Sequence, residues 1–182
     1  LATRLDRKGQ LTTFEYDVRR PTAVVLPGGA RETIEYDTLG RRTRMANAES
    51  AVAWTYDALG RVETVTDEIL DETIRYEYDA VGNRTAMIGP NGRVEYLFDA
   101  MNRLVEQRDP VAGTYRFVFD AAGRRTQLSY PNGLTTSHEY HQNGTLANLT
   151  TRNLAGDLLD GYAYTYDKAG RRTTMRRLQD QQ

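Results

Sequence analysis

The chain contains no cysteine, so disulfide bonds and thiol chemistry contribute nothing to its structure or function. It has no apolar run near the ~20 residues that a membrane-spanning helix needs, which predicts no membrane span. It also lacks an excess of either charge, because the formal net charge is −1 and acidic and basic residues are interspersed. Without a basic patch, the sequence predicts no binding to nucleic acid.

Side chains suited to catalysis are sparse. Histidine occurs only at His138 and His141, which are too few ligands for a metal site. The three serines, Ser50, Ser129 and Ser137, lie in no nucleophile motif, and no glycine pattern matches a phosphate-binding or dinucleotide-binding loop. These absences predict a protein without enzyme activity, cofactor or metal.

Large apolar residues are also scarce, since Leu, Ile, Val and Phe together make up only about a fifth of the chain. That fraction is close to the level of disordered proteins. The 12 tyrosines and a regular repeat argue against disorder. We therefore expect stability to come from rows of aromatic side chains on stacked hairpins, rather than from a thick aliphatic core.

A ten-residue phrase recurs along the chain and organises it. Its clearest copy is IEYDTLGRRT at residues 34–43, and the second aromatic positions of successive copies lie 20 to 26 residues apart. A fixed period of this size indicates a repeat protein. A weak copy, LDRKGQLT, occupies residues 5–12. The other copies are FEYDVRRPTA (14–23), WTYDALGRVE (54–63), YEYDAVGNRT (76–85), YLFDAMNRLV (96–105), FVFDAAGRRT (117–126), HEYHQNGTLA (138–147) and YTYDKAGRRT (164–173).

Each phrase predicts a β-hairpin. Apolar and polar residues alternate before the Asp, which is typical of a strand with one buried face. The Asp carboxylate suits the first position of a type I turn, and the Gly three residues later can adopt the left-handed conformation that follows such a turn. Asn102 stands in one glycine position, and Asn is among the residues that tolerate a positive φ. We take the repeat signature to be structural, and its residues are Tyr36, Asp37, Gly40, Arg41, Tyr56, Asp57, Gly60, Arg61, Tyr78, Asp79, Gly82, Phe98, Asp99, Asn102, Arg103, Phe119, Asp120, Gly123, Arg124, Tyr166, Asp167, Gly170 and Arg171.

Stacking of the hairpins should align equivalent side chains into rows. Aromatic and β-branched pairs across strands stabilise a sheet, and an arginine can pair with a carboxylate while also stacking on a tyrosine ring. The expected rows are a first aromatic row of Tyr16, Tyr36, Tyr56, Tyr78, Phe98, Phe119, Tyr140 and Tyr166; a second row of Phe14, Ile34, Trp54, Tyr76, Tyr96, Phe117, His138 and Tyr164; and an arginine row of Arg41, Arg61, Arg103, Arg124 and Arg171.

The period predicts an all-β chain in which residues 1–182 form a single array of about eight hairpins, or about sixteen strands in a long, coiled antiparallel sheet. Some stretches depart from this regularity. Residues 21–32 should replace a normal return strand and turn, and residues 150–161 should form a bulkier connection. We expect looser turns after Tyr16 and Tyr140, and a frayed tail from Met175 onward.

The Y-D-x-x-G-R phrase at this period resembles the YD repeat of Rhs proteins, of toxin-complex C subunits and of teneurins. The resemblance extends over nearly the whole chain. It implies that the repeats wind a β-sheet into a hollow shell, which in bacteria encloses a C-terminal toxin before delivery. Family shells are several times longer, so we expect this chain to be a fragment of such a wall, exported or at the cell surface. Its partners would be the remainder of the shell and the enclosed toxin.

Two functions of different classes follow from the sequence. The first is the structural role of a shell wall. The alternative is an extracellular surface module that binds carbohydrate or a cell-surface partner through its aromatic and arginine rows. Whichever holds, the unpaired strands at the ends of the array invite self-association.

Overall fold

The computed structural model describes residues 1–178, and every regular element within that range is a β-strand. The all-β fold class is therefore confirmed. No helix among these residues could cross a membrane, because none is present. The chain divides into two compact units, Leu1–Gly92 and Arg93–Gln182.

The first unit contains nine strands, each paired antiparallel with the next along the chain. Consecutive pairing of this kind is what short hairpin turns impose. The strands are β1 (Ala2–Leu5), β2 (Leu11–Asp17), β3 (Arg20–Val25), β4 (Arg31–Tyr36), β5 (Arg42–Ala46), β6 (Ala51–Tyr56), β7 (Val62–Asp67), β8 (Glu72–Tyr78) and β9 (Arg84–Gly89).

The second unit repeats the same pattern with eight strands. The described chain thus has 17 strands, one more than the sequence predicts. The strands are β10 (Gly92–Phe98), β11 (Leu104–Asp109), β12 (Gly113–Phe119), β13 (Arg125–Ser129), β14 (Thr135–Tyr140), β15 (Leu146–Arg152), β16 (Leu158–Tyr166) and β17 (Arg172–Arg177).

The two faces of each sheet differ in chemistry. Residues directly opposite each other in an antiparallel pair lie on the same face. One face, here called the aromatic face, carries pairs such as Ile34 with Met45 and Trp54 with Val65. The other, the polar face, carries pairs such as Thr55 with Thr64. The large side chains are only partly covered, and no large side chain of the described residues is fully buried. Among residues 1–178 only small or medium residues are buried, namely Ala23, Ala51, Ala86, Val94, Thr136 and Gly161.

The hairpin turns have the predicted geometry. At residues 37–41 the Asp37 N–H donates to the Arg41 carbonyl at 2.9 Å, and the Gly40 N–H donates to the Asp37 carbonyl at 3.0 Å. The ladder shifts by one residue beside this turn, which is the bulge that accompanies a type I turn in a hairpin. Gly40 has φ 85°, and Asn102 in the equivalent position has φ 59°. The substitution of Asn for Gly therefore preserves the backbone conformation.

Residues 21–32 were wrongly predicted to replace a return strand and turn. Residues 20–25 form β3, a regular strand paired with both β2 and β4. Pro21 has no N–H, but it lies where the β2–β3 register shifts, so that the strand accommodates it beside an existing irregularity. The turn that follows is of the standard kind, with the Leu26 N–H on the Ala30 carbonyl at 2.8 Å and the Gly29 N–H on the Leu26 carbonyl at 3.0 Å.

The predicted looser turns after Tyr16 and Tyr140 are also wrong. After Tyr16 the turn is shorter, because Asp17 and Arg20 pair directly across a two-residue loop. After Tyr140 the turn is closed by the usual backbone bonds, from Gly144 N–H to the His141 carbonyl and from His141 N–H to the Thr145 carbonyl, both 2.9 Å. The Asn143 side chain accepts the Thr145 N–H at 3.1 Å and so supplies a polar cap inside this turn.

Two further expectations on connections need correction. β15 ends at Arg152 and β16 begins at Leu158, so the extra length at residues 150–161 lies in longer strands. The Asn153–Asp157 turn between them has the standard backbone bonds. Of the tail expected to fray, residues 175–177 belong to β17. Its last four residues, 179–182, lie outside the described residues.

The two-residue loop at Val18 predicts a stabilising substitution. Val18 has φ 50°, which is costly for a β-branched residue, whereas a loop with a positive φ at its first position favours Gly. Val18→Gly should raise the free energy of unfolding by about 0.5–1 kcal/mol. The substitution removes little packing, because the Val18 side chain is 93% exposed. Urea titration would measure the change, with Val111→Gly as the control at an exposed valine outside this loop. A lower midpoint for Val18→Gly would contradict the prediction.

Candidate functional site

The recurring feature of this chain is the Asp that opens most of the repeat turns. At residues 57–61 the Asp57 Oδ1 accepts the backbone N–H groups of Leu59 and Arg61, both at 2.9 Å. Its Oδ2 accepts the Nε–H of Arg61 at 2.7 Å. One carboxylate therefore holds the turn backbone and orients the arginine that leaves it.

The same arrangement recurs along both units. Each of these carboxylates accepts hydrogen bonds from the backbone and the arginine of its own turn, so the polar groups of the signature serve to hold the turn together. The equivalent Asp–Arg pairs are Asp37 with Arg41, Asp99 with Arg103, Asp120 with Arg124 and Asp167 with Arg171, with shortest N–O distances of 2.6 to 2.7 Å. At Asp79 the amide of Asn83 donates instead, at 2.9 Å.

These hydrogen bonds lower the pKa of the turn carboxylates. The backbone N–H of Arg124 and then its guanidinium hold the pKa of Asp120 below its ordinary value. Asp99 and Asp167 have lowered pKa values for the same two reasons. At Asp57 partial burial alone would raise the pKa, but the side-chain and backbone donors of Arg61 outweigh it and the pKa is lowered. The ionised form is thus the one that the fold stabilises.

The arginines of several turns reach the aromatic residue at the end of the strand that follows the hairpin. The guanidinium carbon of Arg41 lies 4.4 Å from the centre of the Tyr56 ring, and the Tyr56 hydroxyl donates to the Arg42 carbonyl at 2.6 Å. Arg61 lies 4.5 Å from the Tyr78 ring, and the Tyr78 hydroxyl donates to the Val62 carbonyl at 2.8 Å. We call this arrangement of turn Asp, following Arg and next aromatic ring the Asp–Arg–Tyr link. It joins one hairpin to the next by a cation–π contact and a hydrogen bond.

The second unit keeps the link at most positions, including one where Phe replaces the Tyr. Arg103 lies 4.8 Å from the ring of Phe119, which keeps the cation–π contact without the hydroxyl. Arg124 lies 4.5 Å from the Tyr140 ring, whose hydroxyl donates to the Arg125 carbonyl at 2.8 Å. At the turn that lacks Asp and Arg, the His141 ring meets Tyr166 edge to face, with centroids 6.1 Å apart.

Two features of the site are not evident in the repeat phrase. Arg20 occupies a position where glycine was expected, yet it lies 5.4 Å from the Tyr36 ring, and the Tyr36 hydroxyl donates to the Pro21 carbonyl at 3.0 Å. Arg20 therefore takes the place of the missing turn arginine. A second set of arginines, one position after the turn arginine, covers the second aromatic row, namely Arg42 over Trp54 at 5.6 Å, Arg84 over Tyr76 at 5.3 Å and Arg172 over Tyr164 at 5.8 Å. The sequence signal for this second set of arginines is the Arg-Arg or Asn-Arg pair that recurs after the turn glycine.

The polar face is joined by its own side-chain bonds. Arg44 bridges Glu68 at 2.8 Å and Glu35 at 3.5 Å, and the threonine pair Thr55 and Thr64 shares a hydrogen bond of 2.6 Å. These contacts pair charged and polar side chains of the polar face with one another. In the second unit Glu106 plays a similar part between Arg108 and Arg116, at 2.5 and 2.8 Å.

The candidates for chemistry do not assemble into a site. Among residues 1–178 no group of three His, Asp or Glu side chains is placed to hold a metal ion. The His138 Nδ1 is buried without a hydrogen-bond partner, and burial, with the nearby Arg125, lowers the pKa of that imidazole. The His141 Nε2 lies 3.2 Å from the Tyr164 carbonyl. The two imidazoles thus have separate structural surroundings.

The family comparison agrees with the repeat geometry. The model of the family described as RHS Repeat matches four overlapping stretches, residues 36–68, 56–94, 78–114 and 98–136. These stretches contain the turn signature from Tyr36 to Arg124. No curated protein matches the chain.

Solved structures share the fold at low sequence identity. A crystal structure of TcdB2-TccC3-TEV matches with a TM-score of 0.62 and 16% identity, over 92% of this chain and 11% of that one. A crystal structure of TcdB2-TccC3-Cdc42 matches with a TM-score of 0.61 at 16% identity, over 92% and 11%. A structure of the Photorhabdus luminescens Tc holotoxin pore, with the TccC3 mutation D651A, matches with a TM-score of 0.61 at 15% identity over the same shares. This chain thus spans about a tenth of the length of the chains that it resembles.

Proposed function

Because this chain belongs to the RHS repeat family, we propose that it is a structural wall segment of a shell that encloses a toxin domain and helps to deliver it. The observation that carries the proposal is the Asp–Arg–Tyr link. Its polar groups are used to fasten one hairpin to the next, as at Asp57, Arg61 and Tyr78, and not to form a catalytic centre. A wall has to resist separation of its strands, and the link supplies contacts that continue past the neighbouring strand.

The solved structures support the same role at the level of the fold. They are TcdB2-TccC3 assemblies, and one is a Tc holotoxin pore. With 92% of this chain aligned on 11% of those chains, the resemblance is that of a segment to a much longer array. A role as a component of an exported toxin, with the remaining shell and the enclosed toxin as partners, is therefore part of the proposal. The proposal also includes the absence of enzyme activity and of a cofactor.

The test is to express a longer protein that contains these repeats together with the domain encoded after them, and to image it by electron microscopy. We expect a closed hollow particle in which the enclosed domain resists an added protease. A companion variant, Arg61→Ala with Arg103→Ala, removes two links and should let the protease reach the enclosed domain sooner. A solid rod, or a domain digested as fast as when it is expressed alone, would overturn the proposal.

The alternative of carbohydrate binding gains no support from the aromatic rows. Arginines lie over the rings of Tyr56 and Tyr78, and both hydroxyls donate to backbone carbonyls, so these rings are engaged where a sugar would stack. Self-association through strand edges stays a prediction. The strands concerned are β1 and β17, whose residues are all exposed.

A further inference from the structure

The turn at residues 141–145 has neither the Asp nor the Arg of the Asp–Arg–Tyr link. No arginine among residues 1–178 lies over the ring that follows this turn, which is Tyr166. Thr145 takes the place of the turn arginine, and its hydroxyl donates to the Asn143 Oδ1 at 2.7 Å. Five other rings of the first aromatic row each have a guanidinium carbon 4.4 to 5.4 Å from their centre, namely Tyr36, Tyr56, Tyr78, Phe119 and Tyr140. The place that an arginine takes at these rings is therefore open at Tyr166.

A cavity of about 530 Å³ lies beside the Tyr166 ring. None of the described residues that line it is an acid, a lysine or an arginine. The Tyr166 hydroxyl has no hydrogen-bond partner in the part of the chain that the structure describes, whereas the Tyr140 hydroxyl donates to a backbone carbonyl. The ring thus borders a space that can hold the end of a long side chain. The lining residues are His141, Gln142, Asn143, Thr145, Thr165 and Tyr166.

His141 stands where the regular turns have their Asp, and as a neutral imidazole it supplies an uncharged acceptor. Its Nε2 lies 3.2 Å from the Tyr164 carbonyl, and because a carbonyl can only accept, this nitrogen carries the proton. The Nδ1 is then an acceptor, and no donor from residues 1–178 reaches it. In the regular turns the corresponding acceptor is the carboxylate that binds the arginine, as Asp57 binds Arg61 at 2.7 Å. His141 therefore has an acceptor for a donor that its own turn does not supply.

A backbone acceptor next to the ring is also free of any arginine. In two links the guanidinium donates to the carbonyl of the first residue of the next turn, from Arg61 Nη1 to Asp79 at 3.0 Å and from Arg103 Nη1 to Asp120 at 3.2 Å. The equivalent carbonyl here is that of Asp167, and the only described donor to it is the glycine N–H of its own turn, at 3.0 Å. A carbonyl oxygen has two lone pairs, so it can accept a second donor.

The first unit shows that a guanidinium can lie over such a ring without a carboxylate beside it. Arg20 lies 5.4 Å from the centre of the Tyr36 ring, and no carboxylate of the described residues forms an ion pair with it. The negative face of an aromatic ring attracts a cation by itself. The absence of an Asp at position 141 therefore does not exclude a guanidinium at Tyr166.

We propose that the cavity beside Tyr166 binds the guanidinium of an arginine side chain that another polypeptide presents. The guanidinium is the group that this chain itself places at the five equivalent rings. It is planar and has five donors, so it can stack on Tyr166 and still donate to the His141 Nδ1 and the Asp167 carbonyl. A lysine ammonium is compact and cannot stack in this way. The partner is therefore a protein with an exposed arginine, and the proposal concerns the second unit alone, independently of the wall function.

Nuclear magnetic resonance of the full chain tests the site, with N-acetyl-arginine amide as the probe. We expect the ring resonances of Tyr166 and His141 to shift, with a dissociation constant on the order of millimolar because one exposed cation–π contact is weak. The citrulline amide has the same shape without the charge, and it should bind several-fold more weakly, as should the lysine amide. Equal binding of the citrulline amide would overturn the guanidinium assignment. Stronger binding of methyl glucoside would overturn it in favour of a sugar.

Two substitutions in the turn locate the binding site. Thr145→Arg supplies an arginine from the turn itself, and it should abolish binding of the arginine probe because its own guanidinium then covers Tyr166. His141→Asp adds the missing carboxylate and should tighten binding of the probe several-fold. The control is Thr38→Arg, which adds the same charge at an exposed turn position of the first unit and should leave binding unchanged. Circular dichroism confirms that each variant is folded.

Binding that survives Thr145→Arg would overturn the site, and so would binding to a folded His141→Asp variant that is no tighter than binding to wild type. The second variant decides the matter if the first does not fold. All of these measurements use the single chain, so their failure leaves the wall function standing. Conversely, a longer protein that forms no hollow particle would overturn the wall function and leave the arginine site at Tyr166 in place.

Discussion

Replacing Tyr78 with alanine is expected to lower the free energy of unfolding of the first unit by about 3 kcal/mol. The substitution removes a half-buried ring, the Tyr78 hydroxyl bond to the Val62 carbonyl at 2.8 Å and the contact with Arg61 at 4.5 Å. Tyr78→Phe removes the hydroxyl alone and should cost about 1 kcal/mol. The difference between the two variants measures what the ring and its cation–π contact contribute.

Trp54 makes this measurement specific, because it is the only tryptophan and lies in β6 of the first unit. Its fluorescence in a urea titration therefore reports the unit that contains Tyr78. The matched control is Tyr16→Ala, at the same position of an earlier repeat, where the side chain is already 45% exposed. Equal losses at Tyr16 and Tyr78 would show that the ring, and not the Asp–Arg–Tyr link, accounts for the effect.

Acid should unfold the chain cooperatively below about pH 4, as the carboxylates of the turn Asp residues become protonated. The pKa values of these Asp residues are lowered in the folded state by their turn donors. A carboxyl group with a lowered folded pKa contributes stability above its unfolded pKa and loses it as pH falls through the folded value. Because the same cap recurs in several turns, the losses add. Circular dichroism between pH 7 and pH 2 would record the transition.

His138 adds a smaller dependence at higher pH, with its own sign. Its folded pKa is lowered by burial and by Arg125, so the unfolded chain binds the proton more readily. Stability should therefore begin to fall as pH drops below the unfolded value near 6.5, before the Asp residues titrate. His138→Phe keeps an aromatic ring in the row and should remove this early phase while leaving the acid transition below pH 4. An unchanged profile between pH 7 and pH 5 would contradict the assignment to His138.

The Asp–Arg pairs also predict the effect of Asp57→Asn. Asparagine can still accept the two backbone N–H bonds through its carbonyl, but it gives up the charge that pairs with Arg61. We expect a lower urea midpoint than wild type at pH 7 and a difference that shrinks as pH falls through the lowered folded-state pKa of Asp57, where the wild-type carboxylate is neutralised too. Asp71→Asn, outside the repeat turns, is the control. A difference that does not depend on pH would show that the charge is unimportant.

Residue spacing was enough to predict the hairpins, because the turn chemistry is local. The Asp57 carboxylate bonds to groups two and four residues away, and Gly60 takes its positive φ within the same five residues. Both partners of each interaction lie within the repeat phrase, so the turn geometry of one copy predicts that of the copies with the same residues. The substitution at Asn102 could be interpreted for the same reason.

The errors arose where the chain compensates with residues that are not in the phrase. Pro21 looked incompatible with a strand, but the register shift beside it absorbs the missing N–H. His141 lacks the Asp carboxylate, yet Asn143 supplies another acceptor inside the turn. Neither compensation has a fixed place in the repeat, so a comparison of copies counts it as a defect.

The sequence by itself determined the all-β class, the period of the hairpins and the residues of the regular Asp-Gly turns, since all of these depend on contacts within about five residues. Only the tertiary structure decided which ring each arginine covers and that Arg20 replaces a missing turn arginine. The physical reason is that these contacts join residues about fifteen to twenty positions apart. Their existence depends on strand register and on the direction of long side chains, which the order of residues alone does not specify.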